Sequence, residues 1–397
     1  MAHPLDDIRI VDLSRIVAGP LATQILGDYG AEVIKIEQPG VGDDARQWLP
    51  PKTTDGQATY FFAVNRNKKS LTLNLKHPKG KEILKALVAR SDVLVENFTP
   101  GTMEGLGLGY ESLRAVNPRL IYCAVSGFGA TGPYREHAGY DAIHQGITGL
   151  MSITGEPDSP PTKVGVALLD EISGLYAHGA VLAALHARQR TGAGQKIDLS
   201  LLEAGVASLL NSATAYLIAG EVQTRQGSAH PSLAPYQAFR AKDDYLMIGA
   251  GNARLWSTLC ETIGAPEWVR DPRFDSNAKR VVNRKELATM IEERLQARTR
   301  DEWVKVFAAA GIAAGPINAI DQVFAHPQVI HRQMIEEIHH PTAGRVRLVG
   351  IPVKFSETPG SVRTPPPLLG EHTNEVLSGL LGYSKEEISQ LKADGVI

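Results

Sequence analysis

The sequence lacks the short motifs that mark several large enzyme classes. Its 397 residues include only two cysteines, Cys123 and Cys260, and they form no CxxC pair, so neither a disulfide framework nor a cysteine metal site is indicated. The twelve histidines include no HExxH pattern, which removes the commonest zinc hydrolase signature. No GxGxxG follows the first predicted strand, so a dinucleotide cofactor is not indicated.

Charge and long apolar runs are also scarce. The formal net charge is −2, whereas a nucleic-acid partner favours a basic domain or stripe. No apolar run reaches the roughly 18–20 residues of a membrane span, and residues 1–7 contain no apolar signal core. We therefore expect a cytoplasmic protein with no nucleic-acid or membrane partner. The short basic cluster Arg66, Lys68 and Lys69 fits either a solvated turn or a phosphate site.

What is present is an alternation of strand and helix patterns. Ile8–Leu13 is a short apolar run, Leu21–Tyr29 has helical composition, and Ala31–Glu37 reads as a second strand. Further strands are predicted at 70–75, 92–96 and 120–125, with a helix at 78–89 between them. This order predicts an α/β fold with a Rossmann-like parallel sheet and a nucleotide-type crevice at the strand ends.

A smaller second domain is predicted after about residue 222, where the composition changes. A strand at 245–249 is followed by helical patterns, among them 284–297 and a helix opened by the capping-box pair Thr299 and Glu302. Beyond them a strand is predicted at 345–355 and a helix from about His372. Two domains also suit the length of the chain.

Asp170 is the residue most suggestive of chemistry. It directly follows the apolar run 164–169, and a helix is predicted to begin just after it and to run to about Arg190, with a second helix from near Leu199. An Asp in this place is a natural helix N-cap. It is also a possible carboxylate nucleophile, because a helix N-terminus favours the ionised form that attacks. Local pattern alone leaves both interpretations open.

Glycine-bearing turns are predicted at 127–132 and 227–229. Each either offers backbone N–H groups to a ligand or is an ordinary loop. Trp48, Tyr60 and Tyr140 lie in polar, glycine-bearing segments, where single aromatic residues more often serve packing than substrate binding. The residue patterns by themselves reach no further than an α/β enzyme with a nucleotide-type ligand.

Seven segments in order give the chain a resemblance to the class III CoA-transferases, the formyl-CoA transferase or carnitine-dehydratase-like family. The resemblance covers nearly the whole chain, and the seven segments together are far more specific than any one of them. They are VDLS to GP at 11–20, GAEVIKIEQPG at 30–40, VENFTPG at 95–101, GFGATGPY at 127–134, the segment around Asp170, TGAGQKIDLSLLEA at 191–204, and PPLLGEHTNEVL at 366–377.

The resemblance implies a mechanism and a set of site residues. Asp170 falls on the family's nucleophile, which passes CoA through an aspartyl anhydride and an aspartyl-CoA thioester. No cofactor is implied beyond CoA, which enters as substrate. The implied CoA-binding positions are Gln38, Leu73, Lys76, Asn97, Phe98 and Met103, and some relatives carry Arg where this chain has Gln38. The implied substrate-pocket positions are Trp48, Tyr60 and Tyr140, and we expect Arg15, Arg46, Gly227 and His230 to line the same pocket.

The segment GSAHPSLAPYQAF at 227–239 departs from the glycine run of the oxalate-specific members. With VGVALLD at 164–170, GAGN at 249–252, NRKEL at 283–287 and GPIN at 315–318, it is similar to the branch that moves CoA from succinyl-CoA to glutarate. We therefore expect a dicarboxylate acceptor. A buried second carboxylate needs a cation, and Arg15, Arg46 or His230 is the hypothesised partner.

The resemblance also implies an interlocked homodimer. It predicts a large CoA-binding domain at 1–224 and 326–397, with a small domain at 225–325 inserted in it. Three other functions stay open. They are CoA transfer to another acid (itaconate, malate or citramalate, carnitine, oxalate), α-methylacyl-CoA racemisation on the same fold, and acyl-CoA binding without catalysis. Racemases of this fold carry a histidine before the Asp, where this chain has Tyr140, and tyrosine with its high pKa is a poor replacement.

Overall fold

The computed structural model describes residues 2–397. Its strands are β1 Arg9–Asp12, β2 Glu32–Glu37, β3 Lys68–Thr72, β4 Val93–Glu96, β5 Ile121–Ser126, β6 Lys196–Ser200, β7 Tyr236–Arg240, β8 Tyr245–Gly249, β9 Ala313–Pro316, β10 Ile335–His340 and β11 Gly344–Val349. Its helices are α1 Ala18–Asp28, α2 Thr59–Ala63, α3 Pro78–Val88, α4 Thr102–Gly105, α5 Tyr110–Val116, α6 Asp141–Ile147, α7 Leu150–Ile153, α8 Leu168–Thr191, α9 Leu201–Ser208, α10 Leu210–Ala219, α11 Ala253–Thr262, α12 Asn277–Val282, α13 Arg284–Leu295, α14 Arg300–Ala309, α15 Ile320–Ala325, α16 Pro327–His331, α17 Thr373–Leu381 and α18 Lys385–Ala393. Short 3-10 helices lie at Asp44–Gln47 and Pro266–Arg270.

The chain divides into two compact units. The first comprises the chain up to Leu150, Lys163–Gly220 and Pro327–Ile397, and the second comprises Met151–Thr162 and Glu221–His326. The first unit holds a sheet of six parallel strands in the order β3-β2-β1-β4-β5-β6, as well as the antiparallel pair β10-β11. The chain is therefore an α/β protein with a Rossmann-like sheet, as the alternation of patterns predicts.

Both faces of the sheet are buried along its inner strands β1, β2, β4 and β5, because side chains along each of these strands alternate between two cores. Val11 and Leu94 point into the core shared with α3, α5, α17 and α18. Their neighbours Ile10 and Val95 point into the core shared with α1 and α8. The strand order reverses between β1 and β4, and ligands of such sheets bind beyond the carboxyl ends of the strands at this reversal.

Helix α8 is a 24-residue helix that packs along α1. The contact is close because Gly174 has no side chain: a Cβ there would lie 2.8 Å from the Ala18 carbonyl oxygen. Among residues 2–397, α8 is the one continuous helix with the length and apolar composition of a membrane span. Its buried residues Ala177 and Val181 belong to the core beneath the sheet, so it serves as a core helix of the first unit.

The second unit has its own core around the antiparallel sheet β7-β8-β9. Trp256, Phe274 and Phe307 are buried there together with the apolar faces of α11, α13 and α14. The Thr299 hydroxyl accepts from the Glu302 N–H and the Glu302 carboxylate accepts from the Thr299 N–H, so the predicted capping box is present at the start of α14.

Three element predictions were wrong. Strand β3 covers residues 68–72 rather than 70–75, because its ladder with β2 runs from the pair Val33 and Lys68 to the pair Glu37 and Thr72. Residues 196–200 form β6, and the helix predicted near Leu199 begins only at Leu201. The strand predicted at 345–355 ends at Val349, and its antiparallel partner β10 was not predicted.

Candidate active site

Asp170 lies in the first turn of α8, as the third residue of the helix. The prediction that Asp170 is the N-cap was wrong, since α8 begins at Leu168 and Ala167 is its N-cap residue. Ala167 makes no side-chain capping bond. The cap comes from another helix, which is why the local pattern misplaces the helix start.

Asp141, the first residue of α6, caps α8. Its Oδ1 accepts a hydrogen bond from the Leu169 N–H at 2.7 Å, and a longer one from the Asp170 N–H at 3.4 Å. Its Oδ2 accepts from the Gln145 side-chain amide at 2.7 Å. The Asp141 carboxylate therefore lies directly beside the start of α8. Sequence reasoning missed both Asp141 and Gln145, because neither stands near Asp170 along the chain.

Burial and charge together change the acidity of Asp170. Burial, and then the negative charge of Asp141, raise the pKa of the Asp170 carboxyl to about 7. Burial and the negative charges of Asp170 and Asp141 raise the pKa of Tyr60 as well, so the Tyr60 hydroxyl lies within electrostatic reach of both carboxyls. A partly buried carboxyl with a raised pKa, next to a second carboxyl, is a frequent signature of an active site.

Two predicted pocket residues lie beside one another. The rings of Trp48 and Tyr60 meet edge to face at 4.9 Å between centroids, and Tyr60 is the one linked electrostatically to Asp170. Tyr140 is the N-cap residue of α6, immediately before Asp141, and its side chain is exposed. The structure thus brings Trp48, Tyr60 and Asp170 to one region of the first unit and places Tyr140 at its edge.

The glycine-rich turn at 127–132 packs against the approach to α6. A Cβ on Gly139 would lie 2.6 Å from the Gly127 Cα and 2.6 Å from the ring of the buried His144. Glycine is needed at this point because two backbones approach closely. The Gly129 N–H donates to the Ser126 hydroxyl at 2.9 Å, so it is not one of the free donors that the sequence suggested for this turn.

Arg15 and Asn97 meet where the strand order reverses, just beyond the ends of β1 and β4. The Asn97 side chain accepts from the Arg15 N–H and donates to the Arg15 carbonyl, both at 2.8 Å. The Arg15 guanidinium lies 5.3 Å from the centre of the Phe98 ring. Ile16 next to it has a φ of +71°, a strained conformation for a β-branched residue.

Comparisons with known proteins show which family the chain belongs to. A family model described as CoA-transferase family III matches residues 5–373. The chain belongs to CoA-transferase family III.

Its relatives include enzymes with different acids in their names. It is 45% identical to human succinyl-CoA:glutarate CoA-transferase over 99% of this chain and 90% of that protein. It is 38% identical to succinyl-CoA--D-citramalate CoA-transferase of Chloroflexus aurantiacus, over 100% and 98% of the two chains. It is 40% identical to acetyl-CoA:oxalate CoA-transferase of Acetobacter aceti, over 89% of each chain.

Solved structures agree on the fold. A CAIB/BAIF family protein from Brucella suis superposes with a TM-score of 0.87 at 42% identity, over 96% of this chain and all of that one. A hypothetical protein from Mycobacterium tuberculosis gives a TM-score of 0.83 at 34% identity, over 94% and 99% of the two chains. The resemblance stated from the sequence is confirmed.

The positions expected to bind CoA lie near the carboxyl ends of β2, β3 and β4 in this CoA-transferase. Gln38 and Lys76 are exposed, and Asn97 and Phe98 are half-buried. Leu73 and Met103 are each only 2% exposed and belong to one core cluster with Phe98 packed against it. These two side chains therefore contribute to the core of the transferase, and their contact with CoA stays a prediction.

Arg46 is already paired. Its guanidinium donates two hydrogen bonds to the Glu37 carboxylate, both at 2.7 Å, and a third to the Pro367 carbonyl at 3.1 Å. It also lies 3.6 Å from the centre of the Phe61 ring. The Arg46 charge is thus compensated within the fold, which argues against the hypothesis that it holds a substrate carboxylate.

Gly227 and His230 belong to the second unit. Gly227 has a φ of +61°, and a Cβ there would lie 2.5 Å from a Glu156 carboxylate oxygen. The His230 Nδ1 accepts from the Ser232 N–H at 3.1 Å, and its carbonyl accepts from the Arg284 guanidinium at 2.7 Å. These bonds fix the conformation of the loop, and its place over the substrate stays a prediction.

The basic cluster at 66–69 is neither a solvated turn nor a phosphate site. Lys68 is fully buried and donates to the Asp12 carboxylate at 3.0 Å, and Arg66 is paired with Asp28 at 2.7 Å. Burial alone would raise the pKa of Asp12, but Lys68 and then Lys35 outweigh it and lower the pKa to about 2. Sequence reasoning missed this buried ionic layer beneath the ends of β1 and β2.

Proposed function

We propose that the enzyme transfers CoA from succinyl-CoA to glutarate, with Asp170 as the covalent nucleophile. Support comes from the family and from relatives named for these two substrates, which match 99% of the chain at 45% identity. The relatives named for citramalate and oxalate match at the lower identities of 38% and 40%.

The proposed route consists of four exchanges at carbonyl carbon. An Asp170 carboxylate oxygen attacks the succinyl thioester carbon, the C–S bond breaks, and CoA leaves as a thiolate from a mixed anhydride. The thiolate then attacks the Asp170 carbonyl carbon and expels succinate, leaving an aspartyl-CoA thioester. Glutarate attacks this thioester to form a second anhydride and release the thiolate. The thiolate finally attacks the glutaryl carbon, giving glutaryl-CoA and a free Asp170 carboxylate, with no net proton change.

The observation that carries this proposal is the state of the Asp170 carboxyl. Burial and the negative charge of Asp141 raise its pKa to about 7, so the carboxyl titrates near neutral pH and its ionised form is the one that attacks. The same environment gives a carboxylate that is more basic than a solvated one, and therefore a better nucleophile toward a thioester. The aromatic rings of Trp48 and Tyr60 offer an apolar wall near it.

We propose Arg15 as the cation for the second carboxylate of the acceptor. Its ion pair with Asp44, at 3.1 Å, is formed by two side chains that are each 46% exposed, and exposed pairs of this kind contribute little free energy. Arg15 can therefore exchange Asp44 for a substrate carboxylate at small cost. The buried Arg46 would have to leave Glu37 without a cation, which costs far more.

We also propose that two copies of the chain form the interlocked homodimer that the resemblance implies. The first unit exposes large apolar side chains on α6, α8, α9 and α10, an amount unusual for a surface that faces only water. A second copy of the chain is the proposed cover. The exposed residues are Ile143, Ile147, Leu175, Tyr176, Val206, Leu210, Tyr216, Leu217 and Ile218.

A transfer assay tests the proposed function. The purified enzyme is incubated with succinyl-CoA and, in separate reactions, glutarate, oxalate, itaconate, malate and carnitine, and new thioesters are identified by chromatography and mass. We expect glutaryl-CoA from the native enzyme and none from Asp170→Ala. A different acceptor would keep the mechanism and overturn the acceptor assignment. If no acid gives a new thioester and the enzyme instead exchanges the α-proton of a branched acyl-CoA, the racemase function is favoured over the transferase.

A further inference from the structure

The cap of α8 has an unusual origin, since it comes from a charged residue on a different helix. The N-cap residue Ala167 offers no side-chain acceptor. The Asp141 carboxylate takes this role instead, through the Leu169 N–H at 2.7 Å and the Asp170 N–H at 3.4 Å. Two of the free N–H groups at the start of α8 are therefore directed at Asp141 rather than at the Asp170 carboxylate.

Gln145 holds Asp141 in this orientation. It lies one turn later on α6 and is fully buried, and its amide N–H donates to the other oxygen of Asp141 at 2.7 Å. Its Oε1 accepts from the Val164 N–H at 2.8 Å. Gln145 thus joins the capping carboxylate to the segment that leads into α8, and both ends of its amide are used.

This arrangement reverses the usual effect of a helix start on a carboxylate. A carboxylate in the first turn is normally stabilised by free N–H groups and by the helix dipole. Here these N–H groups face a second carboxylate, whose negative charge lies close to the first. An Asp170 carboxylate in this setting gains less stabilisation as an anion, so it is the more reactive nucleophile.

We propose that Asp141, oriented by Gln145, is a positioning residue for Asp170: it fixes the first turn of α8 and supplies the negative charge that keeps the Asp170 carboxylate reactive. This inference rests on the proposed function, in which Asp170 attacks the thioester. Asp141 itself does not contact the reacting atoms in this scheme.

No other described charge has a comparable effect on Asp170. Asp141 is the one charged group that shifts the pKa of Asp170, and its effect adds to that of burial. Tyr60 on α2 stays neutral, because burial and the two carboxylates raise its pKa above the ordinary value. The remaining titratable groups on elements packed against α8 have other partners or lie elsewhere on those elements. They are His144 on α6, Glu203 on α9, Asp28 on α1, Tyr122 and Cys123 on β5, and Lys196 and Asp198 on β6.

Two substitutions separate the charge of Asp141 from its position. Asp141→Asn keeps an acceptor for the Leu169 N–H and removes the charge, whereas Asp141→Glu keeps the charge and displaces it. The exposed capping carboxylate of α18 provides the control Glu387→Gln, the same chemical change at another helix start. The readout is the single-turnover rate of aspartyl-CoA formation from succinyl-CoA, without acceptor, as a function of pH.

We expect Asp141→Asn to move the acid limb of the profile to lower pH by about one unit or more, and to lower the plateau rate at high pH because the nucleophile is less basic. Asp141→Glu should leave the limb near its native position and reduce the rate about tenfold or more, since a misplaced nucleophile reacts slowly. Glu387→Gln should match the native enzyme in both respects.

Two outcomes overturn the inference while the proposed function stands. One is an Asp141→Asn enzyme with the native acid limb and native plateau. The other, which applies even if Asp141→Asn does not fold, is an Asp141→Glu enzyme with a native rate. If the native enzyme forms no aspartyl-CoA at any pH, the proposed function itself fails, which is a distinguishable result.

Discussion

Removing the Arg46 side chain should destabilise the protein rather than weaken the binding of one substrate class. The Glu37 and Arg46 side chains are 1% and 12% exposed and share two hydrogen bonds of 2.7 Å. Arg46→Ala leaves a buried carboxylate without its cation. Breaking a buried pair from one side costs about 3–5 kcal/mol.

The lower end of this range is expected here, because Glu37 keeps other partners. Its carboxylate also accepts from the Ser70 hydroxyl at 2.6 Å and from the Asp43 N–H at 3.0 Å. A loss of about 3 kcal/mol corresponds to a fall of roughly 6–12 °C in the unfolding midpoint for a domain of this size. Adding Glu37→Gln to Arg46→Ala should recover part of the loss, because no buried charge then remains unpaired.

The pH dependence of this pair has a definite sign. Burial opposes ionisation of Glu37, but the hydrogen bonds and charge of Arg46 outweigh it and lower its pKa in the folded protein. The stabilisation is therefore fully present above the pKa of Glu37 in the unfolded chain and is lost as the pH falls through the lower folded-state value. The difference in stability between native enzyme and Arg46→Ala should shrink over this acidic window.

The assay combines thermal unfolding with steady-state kinetics on glutarate and on a monocarboxylic acid. The exposed pair of Arg345 and Glu337, whose side chains are 76% and 39% exposed, supplies the control, and Arg345→Ala should leave the unfolding midpoint near its native value because exposed ion pairs contribute little. If Arg46→Ala unfolds at the native midpoint and selectively raises the KM for glutarate, the structural account of Arg46 is refuted and its substrate role is restored.

Three further predictions concern reactivity, packing and assembly. The rate of aspartyl-CoA formation by Asp170 should rise about tenfold between pH 6 and pH 8, because its pKa is about 7; a flat profile in rapid-quench measurements would contradict this. Gly139→Ala should lower the free energy of unfolding measured in urea by about 1–3 kcal/mol, because the new Cβ would lie 2.6 Å from backbone and from a buried ring. The control is Gly379→Ala in α17, whose Cβ would have no neighbour within 4 Å, and it should leave the stability unchanged or raise it. Leu217→Asp combined with Ile218→Asp, on the exposed face of α10, should produce monomers in light scattering, and an unchanged dimer would exclude this face from the interface.

The parts of the fold that could be predicted are those encoded in local periodicity. The first β-α-β unit, β4, β5 and the capping box at Thr299 all follow from contiguous patterns. Strand β6 (KIDLS) could not be separated from the helix after it, because a short alternating run directly before a helix gives little signal. The CoA-transferase function was predicted from the seven segments shared with the family, because residue patterns alone indicate only a nucleotide-type ligand.

The buried charges could not be predicted, because their partners are distant in sequence. Lys68 and Asp12 are 56 residues apart and meet only through the parallel pairing of the sheet. The cap of α8 is a second example, since Asp141 precedes Asp170 by 29 residues. The residues next to Asp170 in the sequence, an apolar run followed by an Asp, are typical of an N-cap. The carboxylate that caps α8 lies on another helix.

The most direct test of the central claim is the identification of the covalent intermediate. The enzyme is mixed with succinyl-CoA in the absence of acceptor, quenched in acid, digested and analysed by mass spectrometry. We expect a CoA thioester on the peptide that contains Asp170. Added glutarate should discharge it as glutaryl-CoA, and Asp170→Ala should not form it. A CoA adduct on another residue, or transfer to glutarate by Asp170→Ala at the native rate, would contradict it.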